Sequence, residues 1–245
     1  MGSVYYDDLS MTAVKAEPDA RAAFIRRTYL HLTGAIALFT LGEVIAFKIG
    51  FAASWFSWVV GLGRFGWLLF VLMIVGGGWV AEKMAKSGNR KIEYAGLGLY
   101  ICGEILIFIP ILFIATHFCP PSVLYQAIVI TLALVAGLSM VVFTTRQDFS
   151  FLGSVLAVGG MLAAGTIICG LFFGFNLGLA FASLMILFAS GCILYTTSKV
   201  LHFYPVDGHV GASLELFAAV MLLFWYVLRI LMILSRFGSV SSSDD

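Results

Sequence analysis

Long apolar runs separated by short polar breaks dominate this chain. A bilayer core is about 30 Å thick, and a helix rises about 1.5 Å per residue, so a spanning helix needs about 20 apolar residues. Seven runs meet or approach that length: Thr28 to Phe47, Phe65 to Ala81, Tyr94 to Thr116, Ser122 to Phe143, Phe151 to Phe173, Leu177 to Thr197 and Leu214 to Leu234. The pattern predicts an all-α polytopic membrane protein, a bundle of seven transmembrane helices. The Trp-rich stretch from Phe51 to Val60 is also apolar. It reads as an interfacial segment at headgroup level, where Trp is favoured.

The breaks are chemically sensible. Glu82 to Glu93 is a charged loop, and the segment from His117 to Pro121 holds a Cys-Pro-Pro that cannot continue a helix. Gly174-Phe175-Asn176 reads as a tight turn, and Ser198 to Ser213 as a longer loop with Pro205, Asp207 and Gly208. Such loops leave no room for a separate soluble domain. The chain therefore divides into a polar amino-terminal tail (1–27), one membrane domain (28–234) and a disordered carboxy-terminal tail (235–245). The amino-terminal tail is polar, and the first apolar run is late and long for a cleavable signal, so an uncleaved first helix is expected.

Composition supports the pattern: 61% of the 245 residues are apolar, 11% are charged, and the mean hydropathy is +1.04. A soluble domain carries about 25% charged residues, so this surface is made to face lipid. The net charge of +1 and the absence of a long basic stripe exclude a nucleic-acid partner. Lys and Arg are unevenly placed. Ten lie in the amino-terminal tail and the loops after the second, fourth and sixth expected helices, three lie on the other side, and Arg229 lies inside the last helix. Positive charge stays in the cytoplasm, which predicts a cytoplasmic amino terminus and an external carboxy terminus in a bacterial inner membrane. The four cysteines lack metal or redox spacing and read as packing residues. The four histidines show no ligand spacing either, so no metal or cofactor is expected.

Polar residues inside the apolar runs carry the candidate chemistry, because a charge at mid-bilayer costs about 2.5–3.5 kcal/mol on insertion scales. Glu104 lies near the middle of the third run, six residues before Pro110. It is either a cation- or proton-binding carboxylate facing an internal cavity or a protonated group bonded within the bundle. Glu43 and Arg229 both lie about 22 Å from the cytoplasmic ends of their helices. They are expected either to pair or to reach the outer interface independently. Glu215 reads as a helix-start carboxylate complementing the dipole. Small residues recur at helical spacing, as in Gly160-x3-Ala164 and Gly76-Gly77-Gly78, and read as packing faces. No HExxH, GxSxG or phosphate-binding loop is present, and no Asp falls within a span. An enzyme is not expected.

Five segments, FIRRTYLHLT (24–33), EILIFIPIL (104–112), FTTRQDFSFLG (143–153), ILYTTSKVLH (193–202) and LFWYVLRIL (223–231), together resemble the Bax-inhibitor (TMBIM or Lifeguard) family in its bacterial branch. The resemblance runs from about Phe24 to Arg229. It implies six helices around a central hydrophobic one, a pH-sensitive calcium leak and a role in stress survival; for some bacterial relatives it implies modulation of a membrane protease. It also implies an aspartate pair that shares a proton near the cytoplasmic ends of the last two helices. Here those positions hold Thr196 and Ala219, so the switch does not transfer. Glu104 and Asp148 match acidic positions of the family. Glu215, one turn before Ala219, is a single carboxylate and not a dyad. Asp148 has a structural account too, as a cap for the fifth helix, with Arg146 a topology anchor; the alternative is a place at a cytoplasmic pore mouth.

Two functions follow from these expectations. One is a calcium or proton leak, or a related transport activity, with Glu104, Glu215 and Asp148 as path residues and no steep pH switch. The other is a non-conducting regulator that binds a membrane protease or another membrane complex.

Overall fold

The computed structural model describes residues 13, 17–174 and 177–241, without the side chains at 64–71, 73–75, 171 and 237–241. Most of the expected polar tail before residue 17, the Phe175-Asn176 part of the expected turn and residues 242–245 of the expected carboxy-terminal tail lie outside these. The described residues form eight helices and no strand: α1 (Pro18–Lys48), α2 (Phe51–Gly61), α3 (Gly63–Ala85), α4 (Arg90–Phe118), α5 (Pro121–Thr145), α6 (Leu152–Phe173), α7 (Leu179–His202) and α8 (His209–Ser241). Each of the seven expected runs falls on one long helix. Six of these are long and apolar enough to cross a bilayer by length and composition. The protein is an all-helical, polytopic membrane bundle.

Local sequence explains the boundaries. Proline opens α1 and α5, where its missing N–H costs nothing, and Asn89 caps α4 by accepting a hydrogen bond from the Lys91 amide at 3.1 Å. Arg146 closes α5 in the left-handed conformation, at φ 51°. Two ends differ from the pattern. The amino-terminal helix already begins at Pro18, and α8 begins at His209 and runs through Ser241, so residues 235–241 continue a helix where a disordered tail was expected.

The short α2 is the predicted Trp-rich segment, folded as an 11-residue helix too short to cross. Its docking depends on Pro110. A proline inside α4 cannot donate the amide bond that the Leu106 carbonyl would otherwise accept. The Trp55 indole donates to that carbonyl at 2.9 Å, so α2 satisfies the group that the proline left open. Stacking of Trp55 with Phe51 and Trp58 fixes the indole.

Helix α8 is the central element. It packs against α1, α3, α4, α5 and α7, and its side chains Phe217, Leu223 and Leu228 are fully buried. Phe217 meets Phe39 of α1 and Tyr100 of α4, while Phe224 stacks on Phe108 of α4 and Trp225 meets that ring edge to face. The outer helices are apolar outward as well: Met140 is 68% exposed, Leu162 67% and Leu187 70%. A water-soluble bundle would hide such a continuous apolar rind, whereas a bilayer solvates it. Peripheral α6 rests mainly on α7, with Gly159 and Gly160 lying under the Phe188 ring as the small-residue pattern suggests.

At one end the bundle gathers the start of α1, the ends of α3, α5 and α7, and the starts of α4 and α8. This end carries most of the Lys and Arg residues and is called the basic end below. Gly96 lets α3 and α4 approach closely there. A Cβ at this position would sit 2.6 Å from the Ala81 carbonyl oxygen and 2.8 Å from the Ala85 nitrogen. Gly211 does the same between α8 and the end of α3, where a Cβ would lie 3.1 Å from the Ala85 oxygen.

Candidate functional site: an internal cavity stoppered by an ion cluster

The close approach at Gly211 places the residue one turn later, Glu215, against the end of α3. Lys86, which caps α3, donates to Glu215 at 2.5 Å and to Glu82 at 2.6 Å. From the last turn of α7, Lys199 donates to both Glu215 oxygens, at 2.8 and 3.2 Å. Its ammonium also lies over the rings of Tyr195 and Tyr204, 5.5 and 5.4 Å from their centroids. Glu215 is thus held between two ammoniums from two other helices.

Lys86 and Tyr204 report the electrostatics of this cluster. Burial works to lower the Lys86 pKa, but hydrogen bonds and attraction from Glu215 and Glu82 outweigh it and hold the ammonium above its ordinary range. Burial, reinforced by the Glu215 carboxylate, drives the Tyr204 hydroxyl far above the usual phenol range. Both groups keep their protons at any physiological pH.

Two cavities meet at the cluster. The first, of about 720 Å³, lies between α3, α4, α7 and α8 and is lined by Glu82, Glu104, Thr196, Glu215, Ala219 and a wall of apolar and aromatic residues. The second, about 520 Å³, lies at the basic end and is lined by Lys86, Arg90, Glu93, Lys199, Asp207 and Glu215, among others. Glu215 lines both, and Lys86 and Lys199 hold it from the side of the second. Glu104 sits about 12 Å deeper along the helix axes than Glu215, counted from the helix starts at 1.5 Å per residue, with Tyr100 one turn back along α4 interacting with its carboxylate.

Four site expectations need restating against this geometry. Glu104 faces a cavity, as one of its two readings required. Glu215 is not at a helix start: α8 begins six residues earlier, no acidic residue lies in its first turn, and the partners of Glu215 are lysines. Asp148 does not cap the fifth expected helix, which is α6. Its carboxylate accepts from the Ser150 amide at 2.8 Å, two residues on, while α6 starts at Leu152 without a side-chain cap. Asp148 is exposed and lines neither cavity.

Glu43 and Arg229 do not pair. The Arg229 guanidinium donates to the Leu177 carbonyl at 2.8 Å, while both Glu43 oxygens are buried without a hydrogen-bond partner among the described residues. Helix geometry explains the separation. Arg229 lies about 120° around α8 from Phe217, the residue that faces Phe39, and Glu43 is only about 40° around α1 from Phe39. From that contact Glu43 lies four residues and Arg229 twelve residues further along helices that both start at the basic end, so the two charges are about 12 Å apart in depth as well as turned in different directions.

The sequence reading missed Lys86, Lys199 and Glu82 as site residues, treating the lysines only as topology anchors. The available signals were the Glu82-x3-Lys86 spacing and a carboxylate lying inside an apolar run with no partner in its own helix. Among the described residues no group of three metal-binding side chains occurs. His31 and His209 do meet, with rings 4.9 Å apart, but the Arg90 guanidinium lies 3.1 Å from the His209 ring, where it opposes a metal cation.

The arrangement, with a central apolar helix, an α7–α8 pair at the basic end and Thr196 and Ala219 in one cavity wall, is the setting the sequence resemblance led us to expect. A family model described as Inhibitor of apoptosis-promoting Bax1 matches residues 21–236. The chain belongs to the Bax inhibitor family. An uncharacterized protein of Pseudomonas aeruginosa is 34% identical over 125 residues, 51% of this chain and 53% of that one. The modulator of FtsH protease YccA of Escherichia coli is 33% identical over 99 residues, 40% of this chain and 45% of its own. An uncharacterized membrane protein of Vibrio cholerae is 29% identical over 117 residues, 47% and 52% of the two chains. The matched region spans about half the length of these curated relatives. As a Bax inhibitor family protein, the chain is a multi-pass membrane protein; Thr196 and Ala219, at the positions where the resemblance leads to an expectation of aspartates, are both nine-tenths buried in the cavity wall.

Proposed function

We propose that this protein is a non-conducting membrane regulator that binds and modulates a membrane protease. The observation that carries this reading is the Lys86–Glu215–Lys199 cluster at the basic end of the inner cavity. A cation entering from that side meets two ammoniums that already neutralise the carboxylate. The family's proton-sharing pair, the device that would open a path, has been replaced by neutral residues. Similarity to a protein named a modulator of FtsH protease points to the class of partner. The protein would act in a bacterial inner membrane, as does a relative named an inner membrane protein. The basic end would face the cytoplasm by the positive-inside rule, with the amino terminus there and the carboxy terminus outside. No chemistry of its own is assigned to it.

A second reading, a calcium leak through Glu104, draws on the cavity that reaches that carboxylate. Calcium takes six to eight oxygen ligands. The other carboxylates on the cavity wall, Glu82 and Glu215, are already held by Lys86 and Lys199, which ranks this reading second. The test is a pull-down of tagged protein from gently solubilised membranes, with calcium flux into proteoliposomes measured in parallel. Recovery of a membrane protease together with flux no greater than that of protein-free vesicles is expected. Flux that Glu104→Gln abolishes, with no protease recovered, would replace the regulator by the leak.

A further inference from the structure

We infer that the inner cavity is a binding site for a lipophilic organic cation, with Glu104 as its counter-ion. This goes beyond the regulator role and does not depend on it. The cavity, about 720 Å³, has the size and the largely apolar lining of a small-molecule site. Its polar groups are not equivalent. Glu215 and Glu82 at the basic end are already paired with lysines. Glu104, deeper in, has no cationic partner among the described residues, and only Tyr100 stands beside it. An unpaired carboxylate in an apolar, membrane-level cavity either takes up a proton or waits for a positive charge to enter.

The walls decide which positive charge. Trp79, Tyr100, Phe108 and Trp225 line the same space, and the other carboxylates on its wall, Glu82 and Glu215, are already held by lysines. Aromatic faces attract weakly hydrated organic cations, and apolar side chains take the body of such a ligand. A calcium ion would find too few oxygens there. The cavity is not sealed: Trp79 and Cys102 on its wall are exposed, so a ligand can reach it from outside the bundle. The ligand is therefore an amphiphile with one delocalised or quaternary positive charge and a bulky apolar body.

Tetraphenylphosphonium is a probe of that chemistry, and tetraphenylborate is its anionic counterpart of similar shape. Equilibrium dialysis of the full chain in detergent with labelled tetraphenylphosphonium should show one saturable site that tetraphenylborate does not occupy. Losing one partner of a desolvated charge pair weakens binding about thirtyfold or more. That loss is expected for Glu104→Gln but not for Glu43→Gln, whose carboxylate lies outside the cavity. Ala219→Phe, which fills the cavity and keeps Glu104, should weaken binding as well. The unmodified protein gives an independent readout: Cys102 and Cys192 line the cavity and Cys169 does not, so the bound cation should slow alkylation of Cys102 and Cys192 and leave Cys169 unchanged. The inference is overturned by the absence of saturable binding, by equal binding of the borate, by an unchanged affinity in Glu104→Gln, or by no protection of Cys192 at saturation.

Discussion

Replacing Glu215 by Leu should destabilise the bundle more than any other single change at the basic end. The carboxylate accepts three hydrogen bonds from two ammoniums, at 2.5, 2.8 and 3.2 Å, and its side chain is only 14% exposed. Removing one partner of a buried pair costs about 3–5 kcal/mol, because the remaining charge is left uncompensated. That figure needs discounting here. Lys86 is 39% exposed and keeps Glu82, so its loss is screened. Lys199, 27% exposed, loses its only carboxylate among the described residues. A net cost of about 2–3 kcal/mol follows, or a fall of about 5–10 °C in the unfolding midpoint for a chain this size. Midpoints should be compared at one scan rate in one detergent, since membrane proteins unfold irreversibly. A double-mutant cycle separates the pair from general disruption: adding Lys199→Met to Glu215→Leu should recover about half of the loss, because the stranded charge is gone. Strict additivity, or an unchanged midpoint in Glu215→Leu, would refute the claim that this cluster holds α3, α7 and α8 together.

Other consequences can be checked with the same preparation. Glu43→Leu should leave the midpoint unchanged or raise it by a few degrees, since it removes buried carboxylate oxygens that have no partner; a large fall would mean the carboxylate is bound to something that matters. Gly96→Ala should cost about 1–3 kcal/mol by forcing α3 and α4 apart, visible as a lower midpoint. Trp55→Phe keeps most of the ring but strips the donor from the Leu106 carbonyl, so about 1–2 kcal/mol and faster hydrogen exchange near Pro110 are expected. Lys86 and Tyr204 both have raised pKa values in the folded protein. Their contribution is therefore complete at neutral pH and is lost as pH rises above about 10. The midpoint should hold steady between pH 7 and 9 as far as these groups decide it, and fall in stronger alkali.

The bundle was legible because its governing signal, apolar length against bilayer thickness, is one-dimensional. Each long run gave one helix, and the prolines and glycines at the breaks marked their ends. The site was less legible, because it is made of pairings between helices. Glu104 could be singled out, since a charge at mid-span needs a reason within the run itself. Glu215 could not be understood without Lys86 and Lys199, which are 129 and 16 residues away in sequence. Depth counted from the start of an apolar run is not depth in the bundle, and azimuth relative to a neighbour cannot be counted at all; hence Glu43 and Arg229 were placed at one level, with pairing as one of two readings, whereas the Phe39–Phe217 contact sets them about 12 Å apart along the axes. The Trp55 bond was hidden for the same reason: Pro110 announced a free carbonyl, and nothing local said which donor would fill it.

The most direct test of the regulator account is the rate at which a membrane protease of the FtsH type degrades a membrane substrate, in vesicles with and without this protein. The account predicts that adding the protein changes the degradation rate several-fold at matched protease concentration, while the vesicles stay tight to calcium. An unchanged degradation rate, in vesicles that the protein makes permeable to calcium, would contradict it.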